Sequence, residues 1–420
     1  MEKIFRFAPS PTGNMHLGNI RTAILNYYGS LKDNGKFFLR IDDTDADRDK
    51  EEYEQNIYED LNWLDIKYTT IIKQSERTEI YEKYFEELKK IGKIYECFET
   101  EDELDEGVIY NRKSLYLTEE EKIKLRVTHK SYWRFLMSKN EYNFIDGVMG
   151  KIHLKRTWSD PIIKRTRELK GFTYNFTSAI DDLVMGVTNV IRGQEHLNNG
   201  VIQQEIISCF SDRIINFSHL PIIITPEGQK LSKRLGDLSI KTLRENGYCP
   251  LTIISMCLSL GTNQNPLITS NINDFIDYFN IKSFSKSSPK FEKKQIEILN
   301  KKILQVLDIE YIKKIGFNIK IWNIIKYNIN YFTEYEKWEK ILNYSILYKN
   351  IDEKNQIILK KIYRENKLYF KEIENLQERK DFLINLHESL TGEKNGPEIE
   401  KILNYKMQDV KNFKENFCLK

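Results

Sequence analysis

The chain has 420 residues, 40% of them hydrophobic and 30% charged, with a net charge of +3. That length calls for two or three structural units, and the composition excludes long-range disorder. The near-neutral charge permits a polyanionic partner without demanding one.

Residues 3–8 are expected as a short buried strand carrying Ile4, Phe5 and Phe7, with a turn at Pro9-Ser10-Pro11-Thr12-Gly13. From His16 to about Leu31, apolar Leu17, Ile20, Ile24, Leu25 and Tyr28 recur at helical spacing. Gly35 closes that helix, and Phe37 to Ile41 predict a second strand. Strand, helix, strand opens a parallel α/β unit. Helices are expected at about 51–64 and 76–92, with Ser75 as N-cap of the second. Between about 94 and 165 the rhythm breaks into mixed charged and aromatic sequence, read as an insertion. Parallel α/β character returns over about 172–225. From about Lys241 only helical periodicity remains, at Ile296, Leu299, Ile303, Leu304 and Leu307 and then over 320–345, 355–375 and 380–405.

Three local features can carry chemistry. The first is Ala8 to Asn19, a strand running into a turn that opens a helix with His16 and Gly18 in its first turn. A helix N-terminus presents unpaired amides and partial positive charge, which suits phosphate. The second is Lys230-Leu231-Ser232-Lys233-Arg234, where three cations in five residues can gather triphosphate charge or form an ordinary basic loop. The third is Arg40-Ile41-Asp42-Asp43-Thr44-Asp45, with three carboxylates at the C-terminal end of a predicted strand. In open α/β sheets that edge binds ligands, and a charged turn closing the strand is the alternative.

Other chemistries lack their residues. There is no P-loop, no G-x-G-x-x-G, no G-x-S-x-G and no H-E-x-x-H. The five cysteines, Cys97, Cys209, Cys249, Cys257 and Cys418, form no C-x-x-C pair, so free thiols in a reducing compartment are expected. No second ligand stands near Cys97 at metal spacing, and no structural zinc is expected. No run of about 18 apolar residues predicts a membrane helix. The N-terminus has no signal-peptide h-region, so a soluble cytoplasmic protein is expected.

Taken in order, these blocks resemble the glutamyl-tRNA synthetases of the bacterial type. Phe7-Ala8-Pro9-Ser10-Pro11-Thr12-Gly13 with His16-Leu17-Gly18-Asn19 is similar to the HIGH signature of class I aminoacyl-tRNA synthetases, and Lys230 to Arg234 to their KMSKS loop. Leu39 to Asp45 and Asp181 to His196 are similar to family blocks between them. Fainter likeness continues through Ser288-Pro289-Lys290-Phe291, Asn300, Thr391-Gly392 and Gly396-Pro397-Glu398, so it covers nearly the whole chain.

The resemblance implies an α/β fold. A class I Rossmann-like catalytic domain would span 1–240, split by an acceptor-binding insertion at about 94–165. A stem-contact region at 241–300 and an all-α anticodon-binding domain at 301–420 would follow. It implies ATP with Mg²⁺, glutamate and tRNA as substrates, and a monomer. Arg6, Ala8, Ser10, Asp42, Tyr174, Ser178 and Arg192 would line the glutamate pocket, with Arg6 and Arg192 on carboxylate and Asp42 on the ammonium. Thr12, His16, Gly18, Glu195, His196, Leu231 and Lys233 would bind ATP, with His16, Lys230 and Lys233 acting on its phosphates.

Three departures stand out. Asp42 replaces a common Glu, Ser178 replaces an Asn of some members, and Asn198-Asn199-Gly200 replaces a common Thr-Pro. Seven lysines against two acids between 282 and 302 make Lys290, Lys293 and Lys294 candidate tRNA contacts, with Arg48 a further one. A solvated helix face is the bland reading of that run. The resemblance implies a glutamate–tRNA ligase that forms glutamyl-adenylate with ATP and charges tRNA(Glu); a non-discriminating or specialised enzyme charging glutamate onto tRNA(Gln) is the alternative, and a catalytically silent tRNA-binding relative a remote one.

Overall fold

The computed structural model describes residues 2–44, 48–100, 109–165, 171–230, 238–343 and 376–407. The chain forms two compact units. One comprises residues 1–243, 254–267 and 273–292; the other comprises 244–253, 268–272 and 293–420.

The first unit is built on a parallel sheet of β1 (Ile4–Phe7), β2 (Lys36–Ile41), β3 (Thr70–Lys73), β9 (Asn189–Gly193) and β10 (Asn216–Leu220). Their spatial order is β10-β9-β1-β2-β3, and every neighbouring pair is parallel. The order reverses direction at β1, so the crevice beyond the carboxyl ends of β1 and β9 is the place where an open α/β sheet receives a ligand. β1 pairs with β9 at its N-terminal end, through Phe5 and Asn189. This is the α/β, Rossmann-like architecture the sequence predicts.

Helix α1 (Leu17–Lys32) follows β1 and buries Ile20, Ile24, Leu25 and Tyr28, the positions its periodicity marks. Helices α2 (Glu51–Trp63) and α3 (Thr78–Lys90) fall close to their expected ranges. Ser75 does not cap α3. It lies in a short 3₁₀ turn at Gln74–Arg77, where its amide and hydroxyl both donate to Asp43, at 2.9 and 2.6 Å. A carboxylate from the preceding strand end outcompetes the local helix start for that hydroxyl.

The stretch with broken rhythm is a set of small antiparallel sheets. β4 (Ile94–Cys97), β5 (Tyr132–Phe135) and β8 (Ile162–Lys164) form one, in the order β4-β5-β8. β6 (Glu141–Asp146) and β7 (Gly150–Lys155) form a hairpin. Helix α4 (Glu119–Thr128) lies between β4 and β5 in sequence, capped by Thr118 and Glu121 acting reciprocally. Helices α5 (Tyr174–Val184) and α6 (Leu197–Ile207) flank β9 in sequence and pack into one core with Phe176, Ile180, Val190 and Ile206. Helix α7 (Ile240–Glu245) begins next to α1, since Ile240 N donates to Met15 O at 2.8 Å.

Among the described residues, no named strand follows β10. In the second unit, helix α8 (Lys293–Val306) buries Ile296, Leu299, Ile303 and Leu304 along one face and exposes Lys293, Lys294, Lys301 and Lys302 on the other. Buried Asn300 pins it: Oδ1 accepts from Cys249 N and Thr252 Oγ1, and Nδ2 donates to Asn330 O. Further helices run at Ile309–Lys314, Ile319–Ile325, Glu334–Asn343, Leu376–Thr391 and Ile399–Met407. The expected helical stretch at 355–375 lies outside the described residues.

Candidate active site

At the carboxyl ends of β1 and β9 a cavity of about 520 Å³ opens. β1 and its turn contribute Arg6, Ala8, Ser10 and Thr12, and the start of α1 contributes His16 and Gly18. Tyr174, Arg192, Glu195 and His196 come from α5, β9 and the turn after it, and Lys230 from the far side. All of these residues are expected from sequence, and the fold brings them together. Glu195 is the only carboxylate residue lining the cavity among the described residues, against Arg6, Arg21, Arg192 and Lys230 as cations.

His16 is the N-cap of α1. Its Nδ1 accepts the amides of Gly18 and Asn19, at 3.0 and 3.4 Å, and Asn19 Oδ1 answers by accepting from His16 N. Nδ1 therefore carries a lone pair, and the ring proton belongs to Nε2. Burial lowers the His16 pKa, opposed by nearby Glu195, so the ring stays neutral with one N–H to donate. Gly18 has a local role the sequence did not reveal: a Cβ there would stand 2.8 Å from His16 Cε1. The glycine makes room for the histidine that caps its own helix.

Arg6 and Arg192 sit differently. Arg6 Nε and Nη2 donate to the two oxygens of Asp182, at 3.1 and 3.0 Å. Asp182 Oδ1 also accepts Arg40 Nη1 at 2.8 Å. Burial alone would raise the Asp182 carboxyl, but Arg6 and Arg40 outweigh it and hold it below the ordinary carboxylate range. Arg192 is 4% exposed, and its hydrogen-bond partners are all neutral. Nε donates to His219 Nε2 at 3.2 Å, Nη1 to Gln203 Oε1 at 2.8 Å and Nη2 to His196 O at 3.1 Å. Burial pulls its pKa down to about 10, with the Tyr174 phenol opposing. At neutral pH it is still a cation. A buried guanidinium with neutral partners is a costly arrangement unless an anion completes it.

Asp42 and Ser178 do not line the cavity. Asp42 gives both oxygens to Arg40, at 2.6 and 3.0 Å, and Ser178 Oγ accepts Arg40 Nη2 at 3.0 Å. Burial raises the Asp42 carboxyl against the pull of Arg40, while Arg40 itself, lowered by burial alone, is held well above its usual range by Asp42 and Asp182. Both residues therefore brace the wall behind Arg6. Asp43 is taken by Ser75, and Asp45 lies outside the described residues. Leu231, Lys233 and the rest of the second basic motif also lie outside them. Its anchor is described: Lys230 pairs across an isolated bridge with Ile224, which also meets Lys290, with Phe291 N donating to Ile224 O at 2.9 Å.

Arg48, Lys290, Lys293 and Lys294 are exposed. Burial lowers the His196 pKa to about 4, with Arg192 and Arg6 adding to the effect, so this ring is neutral as well. Among the described residues, no cluster of three His, Cys, Asp or Glu could hold a metal ion, and no helix is long and apolar enough to cross a membrane.

Residues missed in the sequence are Arg21, which lines the cavity, and Asp182, Arg40, Gln203 and His219, which hold its arginines. Arg40 and Asp182 stand inside blocks the sequence marks, but their roles have no local signal, and Arg21, Gln203 and His219 have none at all, because each acts on a partner far along the chain or on one face of an ordinary helix.

The family model for "tRNA synthetases class I (E and Q), catalytic domain" matches residues 4–305. The chain is 36% identical over 433 residues to "Glutamate--tRNA ligase 1" of Wolbachia pipientis subsp. Culex pipiens (strain wPip), covering 95% of this chain and 94% of the relative. It is 36% identical over 425 residues to the protein of the same name from Wolbachia sp. subsp. Brugia malayi (strain TRS), covering 95% and 96%. Among solved structures it resembles a glutamate tRNA ligase from Elizabethkingia meningosepticum CCUG26117, crystallised in complex with its amino acid, with a TM-score of 0.76, 26% identity and 100% of both chains covered. A crystal structure of the Elizabethkingia anophelis glutamate-tRNA synthetase follows, with a TM-score of 0.75, 26% identity and coverage of 99% and 100%. The chain therefore belongs to the class I glutamate–tRNA ligases.

Proposed function

We propose that Arg192 and Arg6 receive the side-chain carboxylate of glutamate in this cavity, with Tyr174 beside them, while His16 and Lys230 receive the phosphates of ATP. The observation that carries this reading is the buried Arg192 guanidinium with neutral partners only. A carboxylate completes it, as guanidinium forks carboxylates bidentately. Ala8 and Ser10 lie along the glutamate; Thr12, Gly18, Glu195 and His196 lie along the nucleotide. Glu195, the one acid in the lining among the described residues, also stands available for the glutamate ammonium. Asp42 and Ser178 act through Arg40 rather than on substrate.

The reaction follows in two steps. An oxygen of the glutamate α-carboxylate attacks the α-phosphorus of ATP, and the bond to the bridging oxygen breaks, releasing pyrophosphate from glutamyl-adenylate. A hydroxyl of the terminal adenosine of tRNA, the 2′ in class I enzymes, then attacks the carbonyl carbon. The C–O bond to AMP breaks, and the hydroxyl proton leaves with it. ATP enters as its magnesium complex. His16 Nε2–H and the Lys230 ammonium, joined by Lys233, meet the charge that grows on the phosphate oxygens. Catalysis here is positioning plus charge stabilisation. Lys290, Lys293, Lys294 and Arg48 contact tRNA phosphates, and the enzyme works as a cytoplasmic monomer.

The test is aminoacylation with radiolabelled glutamate and ATP on separate glutamate and glutamine tRNAs. Charging of the glutamate tRNA alone fits a discriminating enzyme, and charging of both a non-discriminating one. Charging of the glutamine tRNA alone fits a specialised paralogue. Binding of tRNA without any charging defeats the catalytic reading.

A further inference from the structure

Behind Arg192 stands a chain of buried groups that the two-step reaction does not touch. Arg192 Nε donates to His219 Nε2 at 3.2 Å. A guanidinium has donors only, so Nε2 must carry a lone pair and the imidazole proton must sit on Nδ1. Nδ1 lies 2.6 Å from Asp146 Oδ2, which accepts that proton's hydrogen bond. Both His219 and Asp146 are buried. The other oxygen of Asp146 is fixed by three amides, from Val148 at 2.9 Å, Met149 at 2.8 Å and His219 itself at 3.1 Å. Burial alone would raise the Asp146 carboxyl, but the bonds from His219, Met149 and Val148 hold it below the ordinary range, so it is an anion. Burial lowers the His219 pKa, and Arg192 adds to this against the pull of Asp146, so the ring is neutral.

The chain crosses between two parts of the first unit. His219 is on β10 of the parallel sheet, whereas Asp146 ends β6 of the hairpin inserted between its halves. That hairpin docks by backbone: Gly147 N donates to Phe217 O at 2.9 Å, and a Cβ on Gly147 would stand 2.1 Å from Ser218 Oγ. The Phe217 ring then carries Arg192 Cζ 4.5 Å from its centroid.

We propose that Asp146 and His219 are positioning residues for glutamate recognition, fixing the imidazole tautomer that holds Arg192 by Nε so that its free N–H groups face the incoming carboxylate. Three of the five N–H groups of Arg192 are committed to neutral acceptors, and the Tyr174 phenol, which also lines the cavity, stands against those on the ligand side. The inserted hairpin is therefore part of the amino-acid site although none of its residues lines the cavity. The proposal rests on Arg192 as the glutamate contact.

Substitution at Asp146 has a directed effect. In Asp146→Asn the amide oxygen satisfies the three backbone donors, and the NH₂ group then faces His219 Nδ1. The ring proton moves to Nε2, which turns an acceptor for Arg192 into a donor against it, a wrong-tautomer effect of the kind known for triad histidines. His219→Phe removes the acceptor, whereas His219→Gln restores one near the Nε2 position.

The experiment is steady-state aminoacylation of the cognate tRNA by the full chain, with KM measured separately for glutamate and for ATP, alongside ¹⁵N-histidine NMR of the unsubstituted protein. The expected result is a glutamate KM raised at least tenfold in Asp146→Asn and His219→Phe, a smaller rise in His219→Gln, and an ATP KM within twofold throughout. NMR should place the His219 proton on Nδ1. Circular dichroism establishes folding, and the graded response of His219→Gln against His219→Phe separates positioning from general damage. A glutamate KM within twofold in both Asp146→Asn and His219→Phe, a matching rise for ATP, or a proton on Nε2 overturns the proposal. Arg192→Ala distinguishes the levels: if it too leaves the glutamate KM unchanged, the pocket assignment itself falls, and the relay with it.

Discussion

Replacing Arg192 by methionine should separate ligand recognition from fold stability. In the free protein this guanidinium is 4% exposed and bonded to the neutral groups His219 Nε2, Gln203 Oε1 and His196 O, with the neutral Tyr174 phenol beside them. Burying an unpaired charge costs several kcal/mol after relaxation, on the order of the ~1.5–3 kcal/mol that each bond to a charged donor returns. Methionine removes the charge and the bonds together, so the unfolding free energy should move by about 2 kcal/mol or less. Recognition has no such cancellation. Two charge-assisted bonds to a carboxylate are worth about 3–6 kcal/mol together, and 1.4 kcal/mol is tenfold, so kcat/KM for glutamate should fall by roughly two to four orders of magnitude. Asp182→Asn is the counterpart. It strands Arg6 and takes one carboxylate from Arg40, which keeps Asp42, and breaking a buried pair by removing one partner costs about 3–5 kcal/mol. Guanidinium unfolding and glutamate-dependent aminoacylation measure the two quantities. An Arg192→Met protein as destabilised as Asp182→Asn, or one losing less than tenfold in kcat/KM, would refute the reasoning.

Gly200→Ala places a Cβ 2.8 Å from Arg192 Nη2, inside helix α6 where alanine favours the helix by about 1 kcal/mol. Glutamate KM should rise at least tenfold with the helix intact by circular dichroism, and an unchanged KM would show that Arg192 can yield. The lowered Asp182 pKa predicts a pH window: its contribution to stability is complete above the ordinary value of 3.8 and is lost as pH falls through the folded value. Asp42, raised by burial, acts in the opposite sense, its share present below the ordinary value and lost as pH rises through the folded one. Guanidinium titrations between pH 3 and 7 should therefore show a shallower acid loss for Asp182→Asn than for the unsubstituted protein. Alanine at Lys290, Lys293 and Lys294 should lower tRNA affinity and reduce the slope of log K on log salt by roughly 0.7–0.9 for each phosphate no longer neutralised. An unchanged slope would remove these lysines from the interface.

What could be read from the sequence was what is local to it. A strand, a turn and a helix start within twenty residues of each other, so the motif around His16 carried its own geometry, and the capped helix formed where the periodicity placed it. The parallel sheet was legible for the same reason, because each strand–helix unit buries its own apolar face. Asp42 was legible as an acid at a strand end but not as a residue spent on Arg40 outside the cavity lining. Its partner Arg40 lies two positions earlier on the same strand, and that arginine is fixed in turn by Asp182 and Ser178, well over a hundred positions later. Charge balance in a buried cluster is a property of the whole set, so no window of sequence could say which acid is spent on the fold. Arg6, Arg40 and Arg77 take the carboxylates of Asp42, Asp181 and Asp182, whereas Arg192, like buried Arg21, is bonded to neutral groups among the described residues. That imbalance is where stability and function part. In the proposed pocket a substrate carboxylate completes this charge, and a sequence that neutralised Arg192 with its own acid is expected to gain an ion pair and lose affinity for glutamate.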